Sequence, residues 1–467
     1  MRIRLFGHYY SAAIVTLAVC EALLFVAAMT AAVALAFRNS PMSLWVHIAD
    51  YSGAQLIFGP VAFISQLSLG LYTTRQRASV VGVGVRLVLA MTAAVAATTL
   101  LFYFFPPLAV WPGVLVTAAG LSLLGSAVLR LVFSRVSDGQ AFKKLVLVYG
   151  SGPRAASFQQ LRRASDRRGF TLLGYVCPPE DPCLVPQAQV LDASQGLLSL
   201  CDRLTVDEIV IALEDRRLSL PVDELLTCRL AGIEVVDYVS FMERETGRIV
   251  LEALNPSWMI FGEGFRRGTL RTVTSRLLDI LASLLILTIT LPLIALVAAA
   301  IWLEDGRKGG GVLYRQVRIG QHGQPFTLYK FRSMRANAEV AGQAQWAQRN
   351  DPRVTRLGGF LRKARIDELP QLFNVLRGDM SLIGPRPERP QFVAQLTQSI
   401  PYYSHRHAVK PGIAGWAQLC YPYGASEADA LQKLQYDLYY VKNNSFLLDL
   451  AILLQTAEVV LMGKGAR

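Results

Sequence analysis

Charged residues are scarce in this 467-residue chain: they make up 17%, whereas hydrophobic residues make up 52% and the mean hydropathy is +0.35. This composition excludes intrinsic disorder, which requires low hydrophobicity and high charge. It also excludes an ordinary soluble enzyme, in which about a quarter of the residues are charged. Because the length exceeds that of one typical domain, we expect a membrane protein with two or three folded units.

Cysteine is rare as well. There is no repeated CxxC pair, and no histidines stand at the spacing of zinc ligands, so the sequence favours free thiols in a reducing compartment. The six cysteines are at positions 20, 177, 183, 201, 228 and 420.

Positive charge is unevenly distributed. Residues 1–136 carry a net charge of +6, residues 137–262 carry −4 and residues 263–467 carry +11. No aromatic or helical element for reading nucleic acid accompanies the basic final part, so we expect no nucleic-acid partner. A basic region in a membrane protein instead indicates anionic lipid headgroups or phosphorylated substrates.

Four long apolar runs open the chain, at about residues 11–36, 44–71, 80–105 and 107–131. Each is long enough to cross a bilayer. Basic residues cluster before the first run, between the second and third, and after the fourth, which places the N-terminus and everything after residue 136 on the cytoplasmic side. These charges are Arg2, Arg4, Arg75, Arg77, Arg130, Arg135, Lys143 and Lys144. Residues 1–136 are therefore predicted to be a bundle of four transmembrane helices.

Residues 137–262 alternate short β-branched runs with helix-compatible stretches, which is typical of an α/β domain around a parallel sheet. The predicted strands are 144–149, 171–176, 208–212 and 232–236. The first runs into a GxGxxA turn from Gly150 to Ala155, where a Rossmann unit holds pyrophosphate. Because Pro153 follows the second glycine and no acid lies about 20 residues on, we favour a degenerate Rossmann-like domain over a live dinucleotide site.

A fifth apolar run begins the part from 263 to 467. Basic residues flank it on both sides, with Arg276 before it and Arg315 after it, which is the charge signature of two cytoplasmic ends. Pro292 in its middle removes a backbone hydrogen bond and bends a helix. We predict a re-entrant helix over residues 277–303, in preference to a kinked helix that spans the membrane.

A dense polar stretch follows, with two adjacent carboxylates, Asp367 and Glu368. Pro370 fits the first turn of a helix, so these acids are predicted at a helix N-terminus, an end that attracts phosphate. An acid pair beside several basic residues suits phosphoryl transfer, in which a carboxylate holds a cation or acts as nucleophile. The alternative is that the acids merely cap the helix and pair with Arg365.

Several motifs in residues 272–462 resemble those of the bacterial sugar transferase family, the monotopic polyprenyl-phosphate phosphoglycosyl transferases. Residues 1–262 are similar to the preceding parts of the large, three-part members. Residues 241–248 resemble, more loosely, the branch associated with PEP-CTERM-type exopolysaccharide systems. The motifs are Lys330-Phe-Arg-Ser-Met334, Asp351-Pro-Arg-Val-Thr355, Asp367-Glu-Leu-Pro-Gln371, Gly378-Asp-Met-Ser-Leu-Ile-Gly-Pro-Arg-Pro387, Lys410-Pro-Gly-Ile-Ala-Gly-Trp-Ala-Gln418 and Tyr436-Asp437.

The resemblance implies an α-rich catalytic domain over 263–467 that transfers a sugar 1-phosphate from a UDP-sugar to polyprenyl (undecaprenyl) phosphate and releases UMP. Asp367 would form a covalent phosphosugar intermediate, and Glu368 would hold Mg²⁺, with Mn²⁺ as the alternative ion. The substrate-binding residues that it implies are Lys330, Arg332, Arg353, Arg386, Glu388 and Asp437.

The implied step initiates exopolysaccharide or related glycan synthesis at the bacterial cytoplasmic membrane, with the catalytic domain in the cytoplasm. Two alternatives stay open: a non-enzymatic scaffold of polysaccharide assembly, and an NAD-dependent sugar nucleotide enzyme. The latter needs a Tyr-x-x-x-Lys pair after the Rossmann unit, and the middle domain has none. The sugar, the polymer and the presence of a homo-oligomer are not determined by the sequence.

Overall fold

The structure is a computed structural model that describes residues 2–5, 8–39, 49–69, 71–72, 80–137, 143–161, 169–179, 181–214, 220–254, 259–260, 264–265, 268–304, 311–335, 353–421, 424 and 426–461. Two compact units account for the chain. The first comprises residues 1–5 and 9–246, and the second comprises residues 6–8 and 247–467.

The chain begins with two short paired strands and continues into four helices. The strands are β1 (Arg2–Leu5) and β2 (His8–Ser11), and the helices are α1 (Ala12–Ala36), α2 (Ser52–Ser68), α3 (Val80–Phe104) and α4 (Pro112–Ser137). An apolar core that includes Phe25, Met29, Phe58 and Met91 lies between them. The predicted second span, 44–71, extends beyond α2, and residues 44–48 and 70 lie outside the described part.

Four described helices are long and apolar enough to cross a membrane, and this is a membrane protein. Their apolar segments are Ile14–Ala36, Val83–Phe104, Pro112–Phe133 and Arg271–Glu304. The helix α2, with 17 residues, is shorter than these.

A buried ion pair joins α1 to α4. Arg130 donates from Nε and Nη2 to the two carboxylate oxygens of Glu21, at 2.7 and 2.6 Å, and from Nη1 to the carbonyl of Leu71 at 2.8 Å. We predicted Arg130 to be a flanking cytoplasmic charge. In the structure it pairs with Glu21 between α1 and α4, and its position relative to the membrane surface stays a prediction.

A four-stranded parallel sheet follows in the same unit, as predicted. The strands are β3 (Lys144–Tyr149), β4 (Phe170–Val176), β5 (Glu208–Ile211) and β6 (Glu234–Asp237). Their order in the sheet is β4–β3–β5–β6, and buried apolar residues such as Leu147 and Ile209 form the core with the helices. The helices are α5 (Pro153–Ala156), α6 (Leu197–Leu204), α7 (Val222–Leu230) and α8 (Tyr238–Thr246).

The glycine turn after β3 is occupied by a side chain of this chain. Gly150 has a φ of 129°, which allows the backbone to turn against Ala212. The amides of Ser151 and Gly152 then donate to one oxygen of Asp181, at 2.6 and 2.9 Å. The Asp181 carboxylate therefore occupies the amides of this turn, and the degenerate Rossmann-like domain stays a prediction.

The second unit opens with a long helix, α9 (Thr269–Glu304), that contains Pro292 and exposes apolar residues along its middle. The remaining helices are α10 (Arg356–Lys363), α11 (Gln371–Arg377), α12 (Pro390–Ser399), α13 (Trp416–Cys420), α14 (Glu427–Asn443) and α15 (Phe446–Leu461). The strands are an antiparallel hairpin, β7 (Leu313–Ile319) with β8 (Pro325–Phe331), and a short parallel pair, β9 (Ser381–Ile383) with β10 (Gly412–Ala414).

Both ends of α9 contact this unit. Near its start, Arg276 donates to the carbonyls of Val375 and Leu376 at the C-terminal end of α11, at 2.5 and 2.6 Å. There a cation also interacts favourably with the helix dipole. Asp279 accepts from Ser381 Oγ and Leu382 N, both at 2.9 Å.

The C-terminal end of α9 packs against β8 and α10. Val297 and Ile301 form an apolar cluster with Phe331 of β8 and Leu361 of α10. The terminal residue of the helix, Glu304, accepts from the amide of Leu357 at 3.4 Å.

The helix α14 is the centre of the packing in this unit. Tyr439 stacks on Trp416, whose Nε1 donates to the carbonyl of Gly247 at 2.8 Å. Trp416 is buried, and these contacts make it part of the packing of the unit. The tail helix α15 buries Asp449, which pairs with Arg271 and accepts from Tyr440.

Candidate active site

The two acids lie in a short 3₁₀ turn, Ile366–Glu368, between α10 and α11. Arg365, just before it, has a φ of 55°, a left-handed conformation that reverses the chain. We expected the acids in the first turn of a helix, but Pro370 immediately precedes α11 and the acids occupy their own turn. Each carboxylate residue is only 8% exposed.

Glu368 is held by cations. Arg386 Nη2 donates to its Oε1 at 2.7 Å, and Lys330 Nζ donates to the same oxygen at 3.3 Å. Arg365 Nη1 lies 3.8 Å from Oε2. Burial alone would raise the pKa of Glu368, but Arg386 and Lys330 hold that pKa well below its usual value. Glu368 is therefore a stable anion.

Asp367 is in a contrasting environment. Burial and the neighbouring Glu368 charge raise its pKa, and Lys330, Arg362 and Arg386 offset only part of that rise. Within the described part of the chain, its carboxylate has no hydrogen bond or ion pair. A desolvated carboxylate with free lone pairs suits nucleophilic attack once it is ionised.

Lys330 is positioned by the β7–β8 hairpin, where it lies opposite Tyr314. Asn374 of α11 fixes the strand, because its Oδ1 accepts from Tyr329 N at 3.1 Å and its Nδ2 donates to Thr327 O at 2.8 Å. Burial lowers the pKa of Lys330, although Glu368 opposes the shift. The ammonium group is thus a desolvated cation facing the acid pair.

Arg386 lies just after the glycine crossing, the point at which the backbone at Gly384 passes against the backbone at Gly412. A Cβ on Gly412 would lie 2.0 Å from the amide nitrogen of Gly384, and a Cβ on Gly384 would lie 2.3 Å from the carbonyl oxygen of Lys410. Only glycine allows this approach. It brings together the two motifs that carry the family resemblance at residues 378–387 and 410–418, and it presents Arg386 to Glu368.

Asp437 does not reach the acid pair directly. It is 2% exposed and accepts from Arg406 Nε and Nη2 at 3.0 and 2.7 Å. Arg406 Nη2 also donates to the carbonyl of Arg386 at 3.0 Å. Arg406 was not predicted from the sequence. Burial lowers its pKa, but Tyr403 and Asp437 reverse that shift and keep the pKa above its usual value.

Glu388 lies at the edge of the site with a second residue that sequence reasoning missed. Arg318 Nη1 lies 3.4 Å from Glu388 Oε2 and donates to the carbonyl of Pro387 at 3.1 Å. Burial and Arg386 lower the pKa of Arg318, whereas Glu388 opposes the shift. In the sequence, Arg318 is one of several basic residues that follow the apolar run, and no motif distinguishes it.

The structure does not place Arg332 and Arg353 against Glu368. In the described residues, Arg332 Nε is buried without a hydrogen-bond partner, and its amide donates to Val312 O at 2.9 Å. The carbonyl of Arg353 accepts from Arg335 N at 3.1 Å. Asp351 of the same motif lies outside the described residues. The substrate roles of Arg332 and Arg353 stay predictions.

Arg362 is a further basic residue that we had not assigned to the site. It donates from Nε to Ser333 Oγ at 2.9 Å, and its charge lowers the pKa of Asp367. Its sequence signal was weak because Arg362, Lys363 and Arg365 stand close together, and the sequence alone does not indicate which one faces the acids.

Glu368 is the residue suited to a divalent cation. Among the described residues there is no cluster of three or more His, Cys, Asp or Glu side chains around a common centre. Mg²⁺ commonly binds through one or two carboxylates together with phosphate oxygens and water. Glu368 fits that pattern, since it is ionised and the described residues donate no hydrogen bond to its Oε2.

Known proteins resemble this chain most clearly over the second unit. The bacterial sugar transferase family model matches residues 270–463. The UDP-N-acetylgalactosamine-undecaprenyl-phosphate N-acetylgalactosaminephosphotransferase of Aeromonas hydrophila is 42% identical over 262 residues, 56% of this chain and 60% of that protein. The chain thus spans less than two thirds of that relative.

Two relatives are covered more fully. The sugar transferase EpsL of Bacillus subtilis, itself uncharacterised, is 41% identical over 193 residues, 41% of this chain and 90% of that protein. The UDP-glucose:undecaprenyl-phosphate glucose-1-phosphate transferase of Caulobacter vibrioides is 43% identical over 193 residues, 41% of this chain and 71% of that protein. The chain therefore belongs to the bacterial sugar transferase family.

Proposed function

We propose that the protein transfers a sugar 1-phosphate from a UDP-sugar to undecaprenyl phosphate and releases UMP, as the initiating step of exopolysaccharide or related glycan synthesis. The observation that carries the proposal is the adjacent acid pair. Arg386 and Lys330 neutralise Glu368, while the carboxylate of Asp367 has no hydrogen bond to the described residues. The names of the Aeromonas and Caulobacter relatives, which include undecaprenyl phosphate, support it.

The reaction has two steps. An ionised carboxylate oxygen of Asp367 attacks the sugar-bearing phosphorus, the bond from that phosphorus to the bridging oxygen breaks, and UMP leaves with the electron pair. A phosphate oxygen of the lipid then attacks the same phosphorus, and the aspartyl oxygen leaves as a carboxylate. Covalent catalysis of this kind replaces one difficult displacement with two easier ones.

The basic residues stabilise the charge that develops during both displacements. Arg386 and Lys330 already point at an anionic group, and their positions are fixed by the glycine crossing and by Asn374. Preorganised cations stabilise a transition state without reorganising during the reaction. Glu368 would hold Mg²⁺, or Mn²⁺ instead, and the bound ion would neutralise diphosphate oxygens.

The proposal also includes a re-entrant α9 at the cytoplasmic membrane, with the catalytic unit on the cytoplasmic side. Arg276 and Asp279 at one end of the helix, and Val297 and Ile301 near the other, all contact the same compact unit. A helix that crossed the bilayer would separate these contacts by about 30 Å of hydrocarbon. The exposed apolar middle of the helix is available to acyl chains.

Release of UMP tests the chemistry. Detergent-solubilised protein is incubated with Mg²⁺, undecaprenyl phosphate and each of a panel of UDP-sugars. We expect the wild type and a surface control, Glu427→Gln, to release UMP, and Asp367→Asn to release none. Without the lipid, mass spectrometry of the wild type should find a phosphosugar on the peptide that contains Asp367.

The outcomes separate the parts of the proposal. Equal UMP release by wild type and Asp367→Asn would exclude Asp367 as the nucleophile. If the folded wild type releases no UMP from any UDP-sugar in the panel, the result would favour the scaffold alternative. Loss of activity with EDTA, restored by Mg²⁺, would support the metal requirement, and unchanged activity in EDTA would contradict it.

Membrane topology is tested with single cysteines at exposed positions in a background whose exposed native cysteines are replaced by serine. Thr272→Cys lies in the first turn of α9, Gln324→Cys lies beyond its C-terminal end, and Ala109→Cys lies between α3 and α4. In intact cells a membrane-impermeant maleimide should label Ala109→Cys alone. External labelling of Gln324→Cys would overturn the re-entrant topology.

A further inference from the structure

Two cysteines stand close together outside the catalytic unit. Cys177 follows β4 directly, and its Sγ lies 3.6 Å from Sγ of Cys183, six positions further on. Cys183 is exposed and Cys177 is half-buried, whereas Cys201, Cys228 and Cys420 are buried. These two thiols are therefore adjacent to each other and accessible from solvent.

The surrounding contacts keep the two thiols together. Asp181, between them, is held by the amides of Ser151 and Gly152. Immediately after Cys183, the amide of Leu184 donates to Ser151 O at 2.8 Å. Prolines precede and follow Asp181 and restrict the backbone further. Little conformational entropy is thus lost when the two sulfur atoms are joined.

We propose that Cys177 and Cys183 form a reversible redox modification site, which a low-molecular-weight disulfide of the glutathione type converts to an intramolecular disulfide. Disulfides in reducing compartments are commonly of this transient kind. The bond would hold Asp181 in the glycine turn. The proposal is independent of the transferase chemistry.

The exchange proceeds in two balanced steps. The thiolate of Cys183 attacks one sulfur of the small disulfide, which forms a mixed disulfide and releases one thiolate. Cys177 then loses its proton to solvent and attacks Cys183 Sγ, which forms the protein disulfide and releases the second thiolate. The order follows from exposure, and burial raises the pKa of the Cys177 thiol, which makes it the slower nucleophile.

The test uses the full-length protein in detergent, treated with oxidised glutathione and then alkylated. We expect the peptide with Cys177 and Cys183 to lose two hydrogen atoms in mass, to resist alkylation, and to recover both thiols in dithiothreitol. Cys201 and Cys228 are an internal control, because they are also close to each other but lie in the core. They should remain reduced.

Single variants distinguish an exchange mechanism from chance oxidation. In Cys177→Ser, the glutathione adduct on Cys183 should persist, since no second thiol is present to displace it. In Cys183→Ser, Cys177 should react more slowly than Cys183 does in the first variant. Persistent adducts on both cysteines of the wild type, or two thiols that stay alkylatable in excess oxidised glutathione, would overturn the proposal.

Discussion

Asp367 and Glu368 are neighbours in the chain, are equally buried, and have pKa values shifted in opposite directions. The difference arises from their partners. Glu368 accepts from Arg386 and Lys330, while Asp367 is next to the Glu368 charge and has no hydrogen bond within the described residues. Two adjacent carboxylates can thus have different roles, one as a permanent anion and one as a group that reacts when it is deprotonated.

The pH dependence of the first step should report the ionisation of Asp367. Because its pKa is raised and attack needs the carboxylate, UMP release should rise as pH increases through that pKa. Arg362→Gln removes a positive charge that lowers the pKa of Asp367, so the acidic limb of the pH profile should move to higher pH. The measurement is single-turnover UMP release between about pH 5 and 9.

Arg362→Lys is the matched control for that shift. It keeps the positive charge and should leave the acidic limb close to its wild-type position. If the acidic limb does not move in Arg362→Gln, or if it moves equally in both variants, the result would contradict a direct electrostatic effect of Arg362 on Asp367.

Arg386→Lys should show that charge alone is insufficient at this position. Lysine keeps the charge but loses the planar group that donates to Glu368 Oε1 at 2.7 Å, so we expect kcat to fall by about 100-fold. Arg356→Lys, at an exposed position of α10, should have near wild-type kinetics. A normal kcat with only a raised KM would assign Arg386 to ground-state binding instead.

Breaking the buried ion pair between Arg406 and Asp437 should destabilise the second unit. Arg406→Met leaves Asp437 buried without its partner, which costs about 3–5 kcal/mol. The control is Arg377→Met, which breaks an exposed pair with Asp379 and should cost less than about 1 kcal/mol. Denaturant titration of the purified protein measures both, and equal losses would show that burial does not control the effect.

Alanine substitutions at two adjacent glycines in α10 should have opposite effects on stability. A Cβ on Gly358 would lie 2.0 Å from Ser333 O, whereas a Cβ on Gly359 meets nothing closer than 4.0 Å. Gly358→Ala should lower the unfolding temperature and the activity, since Ser333 positions Arg362. Gly359→Ala should stabilise the protein by about 0.5–1 kcal/mol. Differential scanning fluorimetry and UMP release test the pair, and similar behaviour of both would refute the close contact.

Much of the first unit was predictable because its signals are local. Buried parallel strands appear in sequence as continuous apolar runs, and β3 has the predicted bounds, 144–149. The span over 44–71 was predicted less well, since apolar character extends beyond the end of α2. Hydropathy depends only on which residues are present, whereas the residue at which a helix ends also depends on backbone contacts.

The residues of the site could be predicted from the sequence only where they belong to a family motif. Lys330, Glu368 and Arg386 lie together as the family motifs imply, whereas Arg406 was missed because its importance depends on Asp437, 31 residues away. The strands β9 and β10 are three residues long, too short for a periodic pattern. Their pairing depends on a close approach of glycines, which no linear pattern encodes.

The glycine crossing of Gly384 with Gly412 has a consequence for how related enzymes can diverge. Main-chain atoms alone make this contact, so exchanges among neighbouring side chains leave its spacing unchanged. The arginine beyond it can therefore keep its position while the side chains around it vary. If the proposed reaction is correct, one arrangement of backbone and arginine could be combined with different sugar donors during evolution, without a new backbone for each.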